Sequence, residues 1–326
     1  MRRLGLIAMV AAGAELAGGG GAGSLASPPP SGAVTWGTWG DSAAPRRWRL
    51  YVPAGRERGA PMVVMLHGCT QDAEDVARGT RLDDAADRHG FVVLYPEQPA
   101  GANPLKCWNW FDAAHQRRDA GEPALLAGLI DRVAAERGVD RTRVHVAGIS
   151  AGGAMATILA AAYPERFASA FSASGMPIGA VTGAAQAWQV MRAGATAEQA
   201  TPGAVRERMG ARARPVPLLV VHGSEDRTVV ALNGRRAAEQ WAQAFGGQAL
   251  GEEVTGPGEG TRASRTVRWR DASGVEVAAF TEIHGLGHAW SGGAPAGTYT
   301  DAQGPDASEL LARFVARHAL PAGGGR

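Results

Sequence analysis

The sequence predicts an α/β fold, a mostly parallel central sheet with helices on both faces. Two observations carry that prediction. Short, continuous apolar runs such as Pro61-Met62-Val63-Val64-Met65-Leu66-His67 and Phe91-Val92-Val93-Leu94-Tyr95 are the mark of strands buried on both faces. These runs alternate with helical segments, which implies parallel strands joined by right-handed crossovers.

The elements follow in order. Trp36 to Trp39 and Arg47 to Val52 read as an antiparallel hairpin. After the first apolar run, Asp75 to His89 is helical by spacing and ends at Gly90. Pro96 closes the second apolar run, and Glu122 to Arg137 is an amphipathic helix ended by Gly138. Later strands are Val144 to Ala147, Phe167 to Ser172, Val216 to His222, Thr266 to Trp269 and Val275 to Ile283. Arg227 to Phe245 and Ala307 to His318 are helical. Residues 176–214 and 246–262 are rich in Gly, Ala and Pro and break the alternation; the first is expected to cap a cleft, the second to be a flexible excursion.

The chain has 326 residues, 45% of them apolar and 20% charged, ordinary for a globular protein. Formal charge is +2, and no basic run interleaved with aromatics suggests a nucleic-acid partner. Met1-Arg2-Arg3 followed by Leu4 to Ala11 resembles a secretory signal peptide. Cleavage is expected after Ala14 or Ala26, so residues 1–26 are assigned as the leader and the protein as secreted, extracellular or periplasmic. The apolar run is too short for a stable membrane anchor. Residues 27–34 read as a flexible arm, and 35–322 as a single catalytic domain with no separate substrate-binding domain. The two cysteines, Cys69 and Cys107, form one disulfide if the chain is exported; two buried free thiols are the alternative. Neither cysteine has the C-x-x-C spacing of a metal site.

Gly148-Ile149-Ser150-Ala151-Gly152-Gly153 joins a strand to the small-residue helix Ala154 to Ala160. This is G-x-S-x-G, the nucleophile elbow of an α/β-hydrolase. The motif alone is weak in a chain with 46 glycines; the strand before it and the helix after it strengthen it. A serine hydroxyl is a poor nucleophile at neutral pH and needs a base, which in turn needs an orienting carboxylate. In this fold they follow in the order Ser, acid, His. Asp226, just past the strand Leu218 to Val221, is the expected acid, with Glu225 as competitor and a helix N-cap as its bland alternative. His288 is the expected base, and His284, which directly ends a strand, a structural residue. The oxyanion hole is expected from the N–H groups of Ala151 and Cys69. If Cys107 bonds to Cys69, Trp108, Trp110 and Trp290 are expected near the cleft as substrate contacts, where aromatic walls suit acyl or aryl esters; packing in the core is the bland alternative.

Together, His67-Gly68-Cys69-Thr70-Gln71, Leu94-Tyr95-Pro96-Glu97-Gln98, Cys107-Trp108-Asn109-Trp110-Phe111, the elbow, Gly285-Leu286-Gly287-His288-Ala289-Trp290-Ser291-Gly292-Gly293 and Tyr299-Thr300-Asp301 resemble the polyhydroxybutyrate depolymerase-like esterases. The resemblance runs from about Trp36 to the final helix. It implies an α/β-hydrolase fold, a Ser-His-Asp triad, an ester substrate and no metal or organic cofactor. Feruloyl and acetylxylan esterases are relatives of that family; short-chain hydroxyalkanoate esters, hydrolysed through an acyl-enzyme, are the expected substrate, and feruloyl or acetyl groups on plant polysaccharide are the alternative. Acyl transfer to an alcohol and an inactive binding protein are the remaining alternatives.

Overall fold

The structure, a computed structural model, describes residues 31–40, 45–56, 58–258 and 261–321. The expected leader, residues 1–26, lies outside the described residues, as does the arm up to Pro30. The rest of that arm runs directly into the first strand, which begins at Ala33.

Ten strands form one sheet among the described residues. They are β1 (Ala33–Trp39), β2 (Arg46–Val52), β3 (Met62–Leu66), β4 (Val92–Pro96), β5 (Val144–Ile149), β6 (Ser169–Ala173), β7 (Leu218–Gly223), β8 (Gln248–Thr255), β9 (Ser264–Arg270) and β10 (Glu276–Ile283). Their order across the sheet is β1-β2-β4-β3-β5-β6-β7-β10-β9-β8. The six central strands, β4 to β10 in that order, are parallel. Antiparallel pairs close both sides, β1 with β2 and β9 with β8. Two further short strands, β11 (Trp290–Ser291) and β12 (Thr300–Asp301), pair with each other.

Helices α1 (Ala73–Thr80), α2 (Leu82–His89) and α8 (Ala307–Val315) cover one face; α3 (Gly121–Arg137), α4 (Ala151–Ala162), α6 (Pro202–Met209) and α7 (Ala231–Ala244) cover the other, and α5 (Ala184–Ala193) lies beside the latter. The period of two along each strand divides the core between them. In β3, Met62, Val64 and Leu66 join the α3–α4–α7 side, while Val63 and Met65 join the α1–α2–α8 side. β7 repeats this with Leu218 and Val220 against Leu219 and Val221. All five residues of β3 are fully buried, so Leu66→Ala would cost about 2–5 kcal/mol.

Two expectations need correction. The helix expected over 75–89 is two helices, broken at Arg81, which has φ 54°. Thr80 explains the break: its hydroxyl bonds back to Val76 O at 2.7 Å, and its carbonyl accepts Ser308 Oγ at 2.6 Å. At the break Asp84 N–H bonds Arg81 O at 3.1 Å rather than continuing the ladder to Thr80 O. The second correction is 246–262, of which Gln248–Thr255 is the edge strand β8, paired with β9, rather than an excursion.

Candidate active site

Ser150 stands between β5 and α4 with φ 57° and ψ −121°, a region that costs an L-residue energy and persists where the surroundings force it. The surroundings are tight. A Cβ on Gly152 would lie 2.1 Å from Leu66 O, and one on Gly148 would lie 2.3 Å from Gly152 C. Only glycine allows the elbow to close against β3. Ser150 N–H donates to Ala173 O at 2.8 Å, which pins the turn to β6. Ala151 opens α4, so its N–H has no partner within the helix, and the positive end of the helix lies behind it.

Asp226 lies three residues past β7 and is 4% exposed. It does not cap α7, which starts at Ala231; its Oδ1 instead accepts Thr228 N–H at 2.9 Å and Val229 N–H at 2.8 Å. Its Oδ2 accepts His288 Nδ1–H at 2.7 Å. Since a carboxylate only accepts, Nδ1 carries the hydrogen and Nε2 of His288 is left as the basic atom. A second imidazole reaches the same oxygen: His222 Nε2 lies 3.3 Å from Oδ2. Burial pushes the Asp226 carboxyl up, but the hydrogen bonds from His222 and His288 outweigh it and hold the group well below the usual carboxylate range. Glu225, the competing acid, is largely exposed and makes no contact with His288 among the described residues. His284 is exposed and tied to the sheet by its backbone, N–H to Ala263 O at 2.9 Å.

Ser150, His288, Cys69 and Ala151 all line one cavity of about 1060 Å³. Among the described residues no hydrogen bond joins Ser150 Oγ to His288. Such bonds often tighten only when substrate is bound. The walls are mainly apolar: Trp110, Phe111, Leu105, Met176, and Ala187, Trp188 and Met191 near or on α5. Segment 176–214 thus supplies one wall.

Cys69 is bonded to Cys107 with Cα atoms 4.2 Å apart, so the loop after β3 is fastened to the cavity wall. The loop is gripped on its backbone as well. His67 Nδ1–H donates to Gly68 O at 2.7 Å while its Nε2 accepts Gln98 N–H at 3.0 Å. This assigns the hydrogen to Nδ1. Burial holds the imidazole down to about 4, against a smaller upward effect of the Gly68 bond, so it stays neutral. Gly68 O and Cys69 N–H belong to one peptide plane and point opposite ways; fixing the first aims the second. Among the described residues Cys69 N–H has no backbone acceptor.

The three tryptophans divide. Trp110 lines the cavity. Trp108 and Trp290 do not, and their expected substrate contact is corrected here. Trp108 is fully buried with Nε1–H on His67 O at 3.1 Å, and Trp290 is fully buried with Nε1–H on Ser308 Oγ at 3.1 Å and its ring against Phe171. Each indole finds its polar partner inside the core and so has no need of the cleft. Sequence reasoning misses His222, for which the position four residues before Asp226 is the available signal, and Tyr299, which lines the cavity and heads the Tyr299-Thr300-Asp301 segment. Among the described residues no group of three or more His, Cys, Asp or Glu side chains is spaced for a metal ion, and no helix is long and apolar enough to cross a membrane.

Comparison with known proteins agrees with this architecture. The family described as Esterase PHB depolymerase matches residues 47–251. The chain is 35% identical over 198 residues to poly(3-hydroxyalkanoate) depolymerase C of Paucimonas lemoignei, covering 60% of this chain and 48% of the depolymerase. It therefore spans about half the length of that relative. It is 31% identical over 253 residues to feruloyl esterase B of Neurospora crassa, covering 75% of this chain and 79% of the esterase. Among solved structures, an acetyl xylan esterase from Aspergillus awamori superposes with a TM-score of 0.66 at 23% identity, covering 79% of this chain and 94% of that one. The fold is that of the α/β-hydrolase esterases.

Proposed function

The chain belongs to the Esterase PHB depolymerase family, and from that premise we propose that it is a secreted serine esterase hydrolysing short-chain hydroxyalkanoate esters, of the poly- or oligo-3-hydroxybutyrate type, through an acyl-enzyme. The observation that carries the reading is the 2.7 Å bond from His288 to Asp226 at the wall of a cavity that Ser150 also lines.

Ser150 Oγ attacks the ester carbonyl while His288 Nε2 takes its proton. Asp226 holds the tautomer and offsets the imidazolium charge. The N–H groups of Cys69 and Ala151 donate to the developing oxyanion, where losing one donor typically costs about 10²–10³ in kcat. Collapse expels the alcohol, protonated by His288. Water, deprotonated by the same nitrogen, then attacks the acyl-serine and releases the acid. The apolar walls suit an acyl chain, and an open cavity of about 1060 Å³ leaves room for more than one repeat unit.

A second reading is a feruloyl or acetylxylan-type carbohydrate esterase. It is favoured by the aromatic wall of Trp110, Phe111 and Trp188 and by the longer alignment with feruloyl esterase B. Parallel assays on 3-hydroxybutyrate oligomers, methyl ferulate and acetylated xylan separate the two: we expect the oligomers to be preferred, and a clear preference for ferulate reverses the order. Ser150→Ala is expected to be inert on p-nitrophenyl butyrate yet folded; near wild-type turnover would refute the mechanism. Export rests on the sequence of residues 1–26 and on the disulfide, which persists in oxidising compartments. Mass spectrometry of the mature N-terminus in culture supernatant tests it.

A further inference from the structure

Tyr299 is where the two halves of this site meet. It lines the cavity with φ 53°, and its partner Thr70 has φ 66°. Left-handed backbone is uncommon outside glycine and an outlier for a bulky or β-branched residue. Two such residues in contact at a cavity wall mark a place where the surroundings dictate the geometry.

Donor counting gives their contact a direction. Thr70 Oγ1 donates to Cys69 O at 2.6 Å. A hydroxyl has one hydrogen, so in the 3.1 Å contact between Thr70 Oγ1 and the Tyr299 hydroxyl the phenol is the donor. A chain of bonds thus runs from Tyr299 through Thr70 to the carbonyl of Cys69. On its other side the Tyr299 ring meets the His288 ring edge-on, with centroids 6.1 Å apart and planes at 80°. Its backbone carbonyl accepts Trp290 N–H at 2.7 Å, two residues past His288. Thr298 extends the bridge. Gln71 Nε2 donates to Thr298 O at 3.1 Å, and Gln71 Oε1 accepts Gly68 N–H at 2.9 Å.

We propose that Tyr299 is a positioning residue that sets the spacing between the oxyanion loop and His288. The proposal rests on the esterase reading above. In the addition step the negative charge forms beside Cys69 N–H and the positive charge on His288, so the two loops must be correctly placed together. A misplacement of about 1 Å can cost on the order of 10²-fold in rate. Ground-state binding depends on the apolar walls, which Tyr299→Phe leaves intact, so the effect falls on kcat.

The test compares Tyr299→Phe, Thr70→Ala and the double variant on p-nitrophenyl butyrate, with thermal unfolding alongside. Each single change is expected to lower kcat by about five- to tenfold, the worth of one hydrogen bond, with KM within about twofold. The double variant is expected to fall no further than the weaker single. Additive losses, a Tyr299→Phe kcat within about twofold of wild type, or a lowered unfolding temperature with unchanged kcat would each overturn it. Ser150→Ala in the same series keeps the two readings apart. An active Ser150→Ala sinks the esterase mechanism; an inert Ser150→Ala beside a fully active Tyr299→Phe sinks the bridge alone.

Discussion

His222 Nε2 lies 3.3 Å from Oδ2 of Asp226, the same oxygen that takes the hydrogen of His288. The ring's main bond is Nε2–H to Val229 O at 2.7 Å, which assigns the hydrogen to Nε2 and lets it be shared with Asp226. Its other nitrogen has no partner among the described residues and faces Gly234, where a Cβ would come within 2.3 Å. Helix α7 therefore presses the ring onto the proposed acid.

From this, His222→Leu is expected to lower kcat/KM on p-nitrophenyl butyrate by about ten- to a hundredfold, the range for a hydrogen bond to a charged group. His222→Gln, which keeps an N–H at the same reach, is expected to recover part of the loss. Full activity in His222→Leu would remove His222 from the mechanism.

Acid sensitivity has a defined window. Burial is the largest cause holding His67 down to about 4 and His145 down to about 3. Their unfolded value is about 6.5. Below that pH the unfolded chain takes up protons that the folded chain refuses, so stability falls as pH drops from about 6.5 to 4, by roughly 3 kcal/mol per histidine. Asp226 acts lower down. Its folded value is depressed, so its contribution is present above about 4 and lost as pH falls further. Urea unfolding at a series of pH values should show this slope, and His145→Asn, which can keep the bond to Ser169, should flatten it. An unchanged slope would mean that His145 is not among its sources.

The Cys69–Cys107 bond closes a separation of 38 residues. Reduction, or Cys107→Ser, is expected to lower the unfolding free energy by about 2–4 kcal/mol. Because Cys69 also carries a proposed oxyanion donor, kcat should fall at temperatures where the reduced protein is still folded. Denaturant titration and initial rates with and without dithiothreitol check both; equal kcat in the two states would separate the disulfide from catalysis.

Trp188 is 47% exposed yet lines the cavity, with the Arg192 guanidinium 5.3 Å from its ring centre. Removing such a wall costs about 1 kcal/mol or more of apolar contact. Trp188→Ala should raise KM roughly fivefold for p-nitrophenyl hexanoate while leaving p-nitrophenyl acetate little changed. Equal effects on both esters would place Trp188 outside the acyl path.

Much of this was legible locally. The buried strands announced themselves because a segment covered on both faces must be apolar throughout, as β3 and β4 are. β8 escaped detection for the opposite reason: every residue of this edge strand is exposed, so no face imposes a period of two. Trp108 looks like a cleft residue in sequence because an aromatic cluster reads alike whether it points into a core or onto a wall, and Trp290 does because it follows His288 by two residues.

The elbow and the chain order of the proposed triad were legible in the residues alone. Gly148-Ile149-Ser150-Ala151-Gly152 is a local pattern between an apolar run and a small-residue helix, and Asp226 and His288 each follow a recognisable strand. The groups that support them emerge only from the packed fold. The contacts from Tyr299 to Thr70 and from Gln71 to Thr298 arise where loops from separate strand ends converge, and each spans more than 200 residues. Hydrogen bonds at that range depend on how the layers pack, and no local pattern of residues encodes that.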